Sequence, residues 1–133
     1  MDMAGNLFGS ALGGGDAGAG TLFEITRSGK FRRLYSFTGK KDGANPNGEL
    51  VQDPQGNLYG TAEGGAGALA LGTVFKLDRA HKLTVLYTFK GLRDGAVPVA
   101  GLIRDRSGSL YGTALENLPN RQVQGGSVFK ITP

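Results

Sequence analysis

Short stretches of alternating apolar and polar residues run along this chain, each bounded by glycine or by polar turns. Within residues 74–78, Phe75 and Leu77 lie two positions apart, which is the period expected of a half-buried β-strand. The stretches are rich in β-branched and aromatic residues, and no segment shows a helical period over about ten residues. The pattern therefore predicts an all-β protein.

The chain also repeats itself. Residues 5–11 (GNLFGSA) return as 56–62 (GNLYGTA) and as 108–114 (GSLYGTA), at spacings of 51 and 52 residues. Three further blocks recur in the same order: GTLFEIT at 20–26 with GTVFKLD at 72–78 and GSVFKIT at 126–132, LYSF at 34–37 with LYTF at 86–89, and LVQD at 50–53 with LIRD at 102–105. Self-similarity over almost the whole chain indicates tandem structural repeats.

Each block is predicted to form one strand. Four strands in about 50 residues is the size of a β-propeller blade. We label the strands A (49–53 and 100–105), B (57–62), C (72–78) and D (83–89). Asp and Gly residues predict tight A–B and C–D turns, whereas the B–C and D–A connections are long. We expect one repeat domain, residues 1–133, with about ten strands in the order B-C-D, A-B-C-D, A-B-C. It comprises a partial blade (1–39), a full blade (40–90) and a partial blade (91–133), which form an incomplete ring.

These motifs resemble the GloVer (Gloeobacter–Verrucomicrobia) tandem repeat. The resemblance is carried by D-x-x-G-N-L-Y-G-T from Asp53, G-T-V-F-K-L at 72–77, L-Y-T-F at 86–89 and D-G-A-x-P from Asp94. It implies long bacterial proteins with many repeats that are exported to the cell surface, so an extracellular or cell-surface location is expected. It implies no catalytic residues. The amino-terminal residues lack the basic start and apolar run of a signal peptide.

Composition narrows the classes of function. The chain has 24 glycines, which suit turns and tight loops, and no cysteine, so neither disulfides nor thiolate metal sites are available. The net charge is +4, but the cations are spread along the chain and no nucleic-acid-binding motif accompanies them. No stretch is apolar enough to span a membrane. We therefore expect no nucleic-acid partner and no membrane span.

Candidate ligand-binding residues lie on the face of the predicted blades that carries the long connections, because variable loops are where binding sites concentrate. Carboxylate and amide oxygens there could bind calcium or sugar hydroxyls, although an Asp-Gly pair also simply makes a turn. The candidates are Asp42, Asn45, Asn47, Glu63, Asp94 and Glu116. His81, the single histidine, falls in a C–D turn with no catalytic partner in evidence. We expect no catalytic residue, metal site or cofactor.

Two functions fit these observations. The first is a non-enzymatic propeller module for binding or assembly, with a surface polysaccharide as the ligand and self-association completing the ring; a dimer would supply about six blades. The second is a purely structural repeat whose copies form oligomers or filaments. A glycosidase- or lyase-like enzyme is a third hypothesis, but it requires acidic residues placed together at one site, and the sequence does not show such a set.

Overall fold

The computed structural model describes residues 1–65, 71–91, 95–115 and 125–133. Within these ranges the chain forms ten strands and no helix. The strands are β1 (Leu7–Ala11), β2 (Thr21–Ile25), β3 (Phe31–Ser36), β4 (Ala44–Gln52), β5 (Leu58–Gly64), β6 (Thr73–Leu77), β7 (Leu83–Thr88), β8 (Ile103–Arg104), β9 (Leu110–Ala114) and β10 (Ser127–Ile131). The all-β prediction and the predicted strand order are confirmed.

The strands form three antiparallel sheets in which chain neighbours pair with each other. Sheet 1 contains β1, β2 and β3; sheet 2 contains β4, β5, β6 and β7; and sheet 3 contains β8, β9 and β10. Each sheet therefore corresponds to one sequence repeat. Because strands alternate in direction, the tight turns lie at one end of the sheets, here called the turn end, and the long connections lie at the other, the loop end.

A glycine that recurs in β1, β5 and β9 is explained by the strand that pairs with it. Gly60 lies opposite Phe75, as Gly9 lies opposite Phe23 in sheet 1. A Cβ atom on Gly60 would come within 2.8 Å of the Phe75 ring and within 2.7 Å of the Leu50 side chain. The aromatic ring thus takes the space that a side chain at the glycine would need, which accounts for the recurring glycine in this motif.

The sheets pack face to face, and the two interfaces use the same repeat positions. We call the face of each sheet that carries Phe23 of β2, Phe75 of β6 or Phe129 of β10 its leading face, and the opposite one its trailing face. The trailing face of sheet 1 buries Leu22 and Phe37 against the leading face of sheet 2. The trailing face of sheet 2 buries Val74 and Phe89 against the leading face of sheet 3. The hydrophobic core is therefore two equivalent layers between three sheets.

The connection between sheets 1 and 2 differs from its predicted form. Strand A of this repeat is predicted to begin at residue 49, but β4 already begins at Ala44. Asn45 has a positive φ of 56°, and its backbone N–H donates to the Ala19 carbonyl of sheet 1 at 2.8 Å. The early part of β4 thus bridges the two sheets while it pairs with β5, an arrangement that residue alternation alone does not reveal.

Candidate functional site

Asp42, the first candidate at the loop end, holds its own turn together. Its carboxylate accepts hydrogen bonds from the Tyr35 hydroxyl at 3.1 Å, from the backbone and hydroxyl of Thr38, and from the Lys40 backbone at 3.3 Å. Burial of the Asp42 carboxyl alone would raise its pKa, but the hydrogen bonds from Thr38 and Tyr35 outweigh it and the pKa is lowered. Burial, together with the Asp42 charge, raises the pKa of Tyr35 to about 12. A ligand at Asp42 would have to displace these bonds.

Two other candidates contact each other. The Asn47 side-chain amide donates to the Glu63 carboxylate, and its own oxygen accepts from the Gly48 backbone N–H at 2.9 Å. Asn45 instead donates from its side chain to the Leu12 carbonyl at 3.1 Å. Asn47 and Glu63 therefore form one polar pair, and the hydrogen bonds of the described residues join neither of them to Asp42 or Asn45.

The remaining loop-end candidates, Asp94 and Glu116, lie outside the described residues. Ligand binding at the loop end, and polysaccharide as the ligand, stay predictions.

The G-A-x-P parts of the D-G-A-x-P motifs, residues 43–46 and 95–98, pack between consecutive sheets. Gly20 of sheet 1 leaves no room for a Cβ beside the Pro46 ring, and Gly72 leaves none beside Pro98. Val97 repeats the left-handed backbone of Asn45 with a φ of 54°, and its N–H donates to the Leu71 carbonyl at 2.7 Å. These motif residues therefore set how each sheet sits on the one before it.

At the turn end, one aspartate per repeat (Asp2, Asp53 or Asp105) closes the tight turn that leads into β1, β5 or β9. Asp53 accepts from the backbone and side chain of Asn57 and from the Tyr59 hydroxyl at 2.9 Å. Although burial opposes it, these bonds lower the pKa of Asp53. In the third repeat Ser109 replaces the asparagine, and Ser107 supplies the missing side-chain donor to Asp105 at 2.7 Å.

The hydrogen bond from the Ser107 hydroxyl is the largest cause of a pKa of about 2 at Asp105. Tyr111 also donates to this carboxylate, at 2.9 Å, and contributes to the lowering. The recurring D-x-x-G-N-L-Y motif is thereby explained as a turn whose aspartate is satisfied by its own repeat.

His81 lies in the turn between β6 and β7 with a positive φ of 61°. It occupies the position of Gly29 in sheet 1, where φ is 82°. The backbone N–H of His81 donates to the Asp78 carbonyl at 2.9 Å, as expected of a turn residue. The predicted placement of His81 in this tight turn is confirmed.

An open cavity of about 900 Å³ lies at the turn end, between sheets 1 and 2. Its lining includes apolar side chains, among them Phe8, Leu34 and Leu58, together with Glu24, of which only 9% is exposed. The candidates predicted from the sequence lie at the loop end, and Glu24 is not among them. The available signal was the repeat itself, because Glu24 stands where the other two repeats have Lys76 and Lys130.

Among the residues that the structure describes, no group of three or more His, Asp or Glu side chains could hold a metal ion. No helix in the same ranges is long and apolar enough to cross a membrane.

A family model described as the Gloeobacter/Verrucomicrobia repeat matches residues 1–133. This match confirms the resemblance inferred from the repeated motifs. No curated protein matches the chain.

Proposed function

We propose that this chain, which belongs to the Gloeobacter/Verrucomicrobia repeat family, is a non-enzymatic assembly module of the β-propeller type. Each sheet would serve as one blade, and the sheets at the two ends would bind further sheets of the same kind from a second copy. Two observations support the proposal. One sheet-to-sheet interface is repeated inside the chain, and the outer faces of sheets 1 and 3 expose apolar side chains.

The observation that carries the proposal is the exposure of equivalent residues. Val74, on the trailing face of sheet 2, is 0% exposed, whereas Val128, at the same repeat position in sheet 3, is 80% exposed. Leu58, on the leading face of sheet 2, is 4% exposed, whereas Leu7 of sheet 1 is 49% exposed. Both ends of the stack thus present to water apolar positions that the middle sheet buries, and exposed apolar patches mark interaction surfaces.

We expect the contact between two copies to have the geometry of the two sheet-to-sheet interfaces within the chain. Phe37 contacts Phe75 edge-on with ring centroids 5.3 Å apart, and Phe89 contacts Phe129 in the same way at 5.2 Å. If each added copy makes this same contact, every sheet is rotated by the same angle relative to the one before it. The assembly is then a closed ring if these rotations add up to a full turn, and a filament if they do not. Two copies would supply six sheets, within the range of about four to eight blades found in propellers.

Assembly is tested by measuring the solution mass by light-scattering chromatography over a range of protein concentrations. We expect a mass above that of one chain, with Val128→Lys and Leu7→Lys each returning the protein to a single chain, because either substitution places a charge in the apolar contact. Leu12 is the matched control. It is 50% exposed but lies in the loop after β1 rather than on a sheet face, so Leu12→Lys should leave the mass unchanged.

A wild-type protein that stays a single chain at every concentration would overturn the proposal. So would a mass that falls equally for Leu12→Lys and the two face variants. Electron microscopy of the wild type then distinguishes the two forms of assembly, because a ring has one size and a filament grows with concentration.

A further inference from the structure

The cavity at the turn end has the dimensions of a small-molecule site. Its volume of about 900 Å³ falls within the range of roughly 300–1,000 Å³ typical of ligand pockets. It lies inside one chain, between sheets 1 and 2, so it does not depend on assembly of the end faces. Phe8, Leu34 and Leu58 give it apolar walls.

Its charge is opposite to that of the whole protein. The chain carries a net +4, yet the cavity is lined by four carboxylates and only two cationic groups. The carboxylates belong to Asp2, Glu24, Asp53 and Asp78, and the cations are Arg79 and the amino terminus of Met1. The three aspartates accept hydrogen bonds from the backbone of their own turns. Glu24 differs from them: its single polar side-chain contact among the described residues is Arg32, which approaches one carboxylate oxygen at 3.5 Å from an exposed position.

The other two repeats show what this position usually holds. In sheet 2, Lys76 lies opposite Tyr59 on the neighbouring strand, with its amino nitrogen 5.9 Å from the ring centre. In sheet 3, Lys130 lies over Tyr111 at 5.3 Å. Both repeats therefore place a cation of their own against an aromatic ring, an arrangement that is attractive because the ring face is negative.

Sheet 1 keeps the aromatic ring but has a carboxylate where the other two repeats have a lysine. Phe8 lies directly opposite Glu24, and both side chains line the cavity. An aromatic ring beside a carboxylate with little solvent access is complementary to an organic cation, since the ring attracts the positive charge and the carboxylate pairs with it. The cation beside Glu24 in sheet 1 is instead Arg32 of β3, an exposed side chain that does not line the cavity.

We propose that this cavity binds a small free organic cation of the alkylguanidinium class, with Glu24 pairing with the guanidinium and Phe8 lying against its flat face. A guanidinium fits better than an ammonium because it stacks on aromatic rings and presents two parallel N–H groups to one carboxylate. The alkyl part lies along the apolar walls. Arg32 is an intramolecular competitor that the ligand displaces from Glu24 or shares with it.

The experiment is a calorimetric titration with two matched probes, butylguanidinium and its neutral analogue butylurea. Butylguanidinium should bind saturably and more weakly at higher salt, whereas butylurea should not bind. Glu24→Gln should reduce the affinity for butylguanidinium by about tenfold or more, because it removes a charge-assisted pair. Glu24→Lys restores the residue found in the other two repeats and should abolish binding.

Asp16→Asn is the matched control variant, because Asp16, in the loop between β1 and β2, pairs with Arg33 of β3 at 3.0 Å but does not line the cavity. It should keep the wild-type affinity within about twofold. Circular dichroism checks that each variant is folded, and ring-current shifts of the ligand protons report contact with Phe8 in the wild type. Equal binding of butylurea, or full affinity in Glu24→Gln, would overturn the proposal. The proposal would also be overturned if a Gly-Arg-Gly peptide bound and butylguanidinium did not, because the ligand would then be an arginine within a peptide and not a small free cation.

Discussion

Phe37 of sheet 1 meets the edge of Phe75 in sheet 2 at a centroid distance of 5.3 Å and an interplanar angle of 66°. Phe89 and Phe129 repeat this contact at 5.2 Å and the same angle of 66° across the next interface. Edge-to-face aromatic pairs add to the free energy gained by burying the rings. Stacking of the sheets is thus anchored by one ring pair per interface, placed by the sequence repeat.

Truncation of this anchor should destabilise the chain strongly. Phe37→Ala removes a fully buried ring and leaves a cavity between two sheets, so the free energy of unfolding should fall by about 3–5 kcal/mol. Urea unfolding followed by circular dichroism measures the change. Phe31→Ala, which removes an exposed phenylalanine of the same sheet, should cost less than about 1 kcal/mol when both are measured at concentrations at which the protein is a single chain. Similar losses for the two variants would contradict this assignment of the core.

The strand glycines should not tolerate a methyl group. Gly60→Ala would place its Cβ 2.7 Å from the Leu50 side chain and 2.8 Å from the Phe75 ring, so we expect a loss of about 1–3 kcal/mol in thermal or urea unfolding from overpacking. Gly13→Ala is the control, because nothing lies within 4 Å of its Cβ position. It should be neutral or stabilising by up to about 1 kcal/mol, since alanine has fewer unfolded conformations than glycine. An unchanged stability of Gly60→Ala would show that the sheets yield more easily than the packing indicates.

Strand positions were largely predictable because local residue patterns determine them. Alternating apolar residues and the repeated glycines placed β5, β6 and β7 within about two residues of their ends. β4 was less predictable: it begins at Ala44 rather than at residue 49. Its early start depends on the left-handed backbone of Asn45 and on a hydrogen bond to sheet 1, and such contacts between repeats leave no periodic signal.

The turn between β6 and β7 carries a strained residue that can be relieved. His81 holds a φ of 61°, a left-handed conformation that costs a residue with a side chain roughly 1–2 kcal/mol. His81→Gly should remove that strain, and after the added unfolded-state entropy of glycine the net gain is roughly 0.5–1 kcal/mol in the free energy of unfolding. Ala80→Gly in the same turn has no such strain to relieve and should be destabilising. A loss of stability in His81→Gly would mean that the imidazole makes contacts more valuable than the backbone strain.

The candidate sites were less predictable than the fold. Asp42 was recognisable as part of a turn, but four internal hydrogen bonds to its carboxylate became visible only in three dimensions. Glu24 was overlooked because one acidic residue in a strand is unremarkable in isolation. Its meaning depends on the stacking of sheets 1 and 2, which creates the cavity beside it, and on comparison with Lys76 at the equivalent position.

Acid sensitivity of the third repeat should depend on a single serine. The Ser107 hydroxyl is the largest cause of a pKa of about 2 at Asp105 in the folded protein, whereas an unfolded aspartate titrates near 3.9. Because the folded pKa is the lower one, the stabilisation is fully present above the unfolded pKa and is lost as pH falls towards about 2. Ser107→Ala should raise the pKa of Asp105 in the folded protein and so bring it closer to the unfolded value. The free energy of unfolding should then be lower than that of the wild type above about pH 5, and it should fall less steeply below about pH 4.

The measurement is a series of urea unfolding curves between about pH 2 and pH 6 for the wild type and two serine variants. Ser28→Ala is the control, because the Ser28 hydroxyl also lies in a tight turn but pairs with the Thr26 hydroxyl at 2.9 Å rather than with a carboxylate. Its stability should change with pH in parallel with the wild type. If Ser107→Ala also runs parallel to the wild type, the hydroxyl does not set the pKa of Asp105. The turn would then be held by the backbone of Ser109 and the Tyr111 hydroxyl, which donate to the same carboxylate.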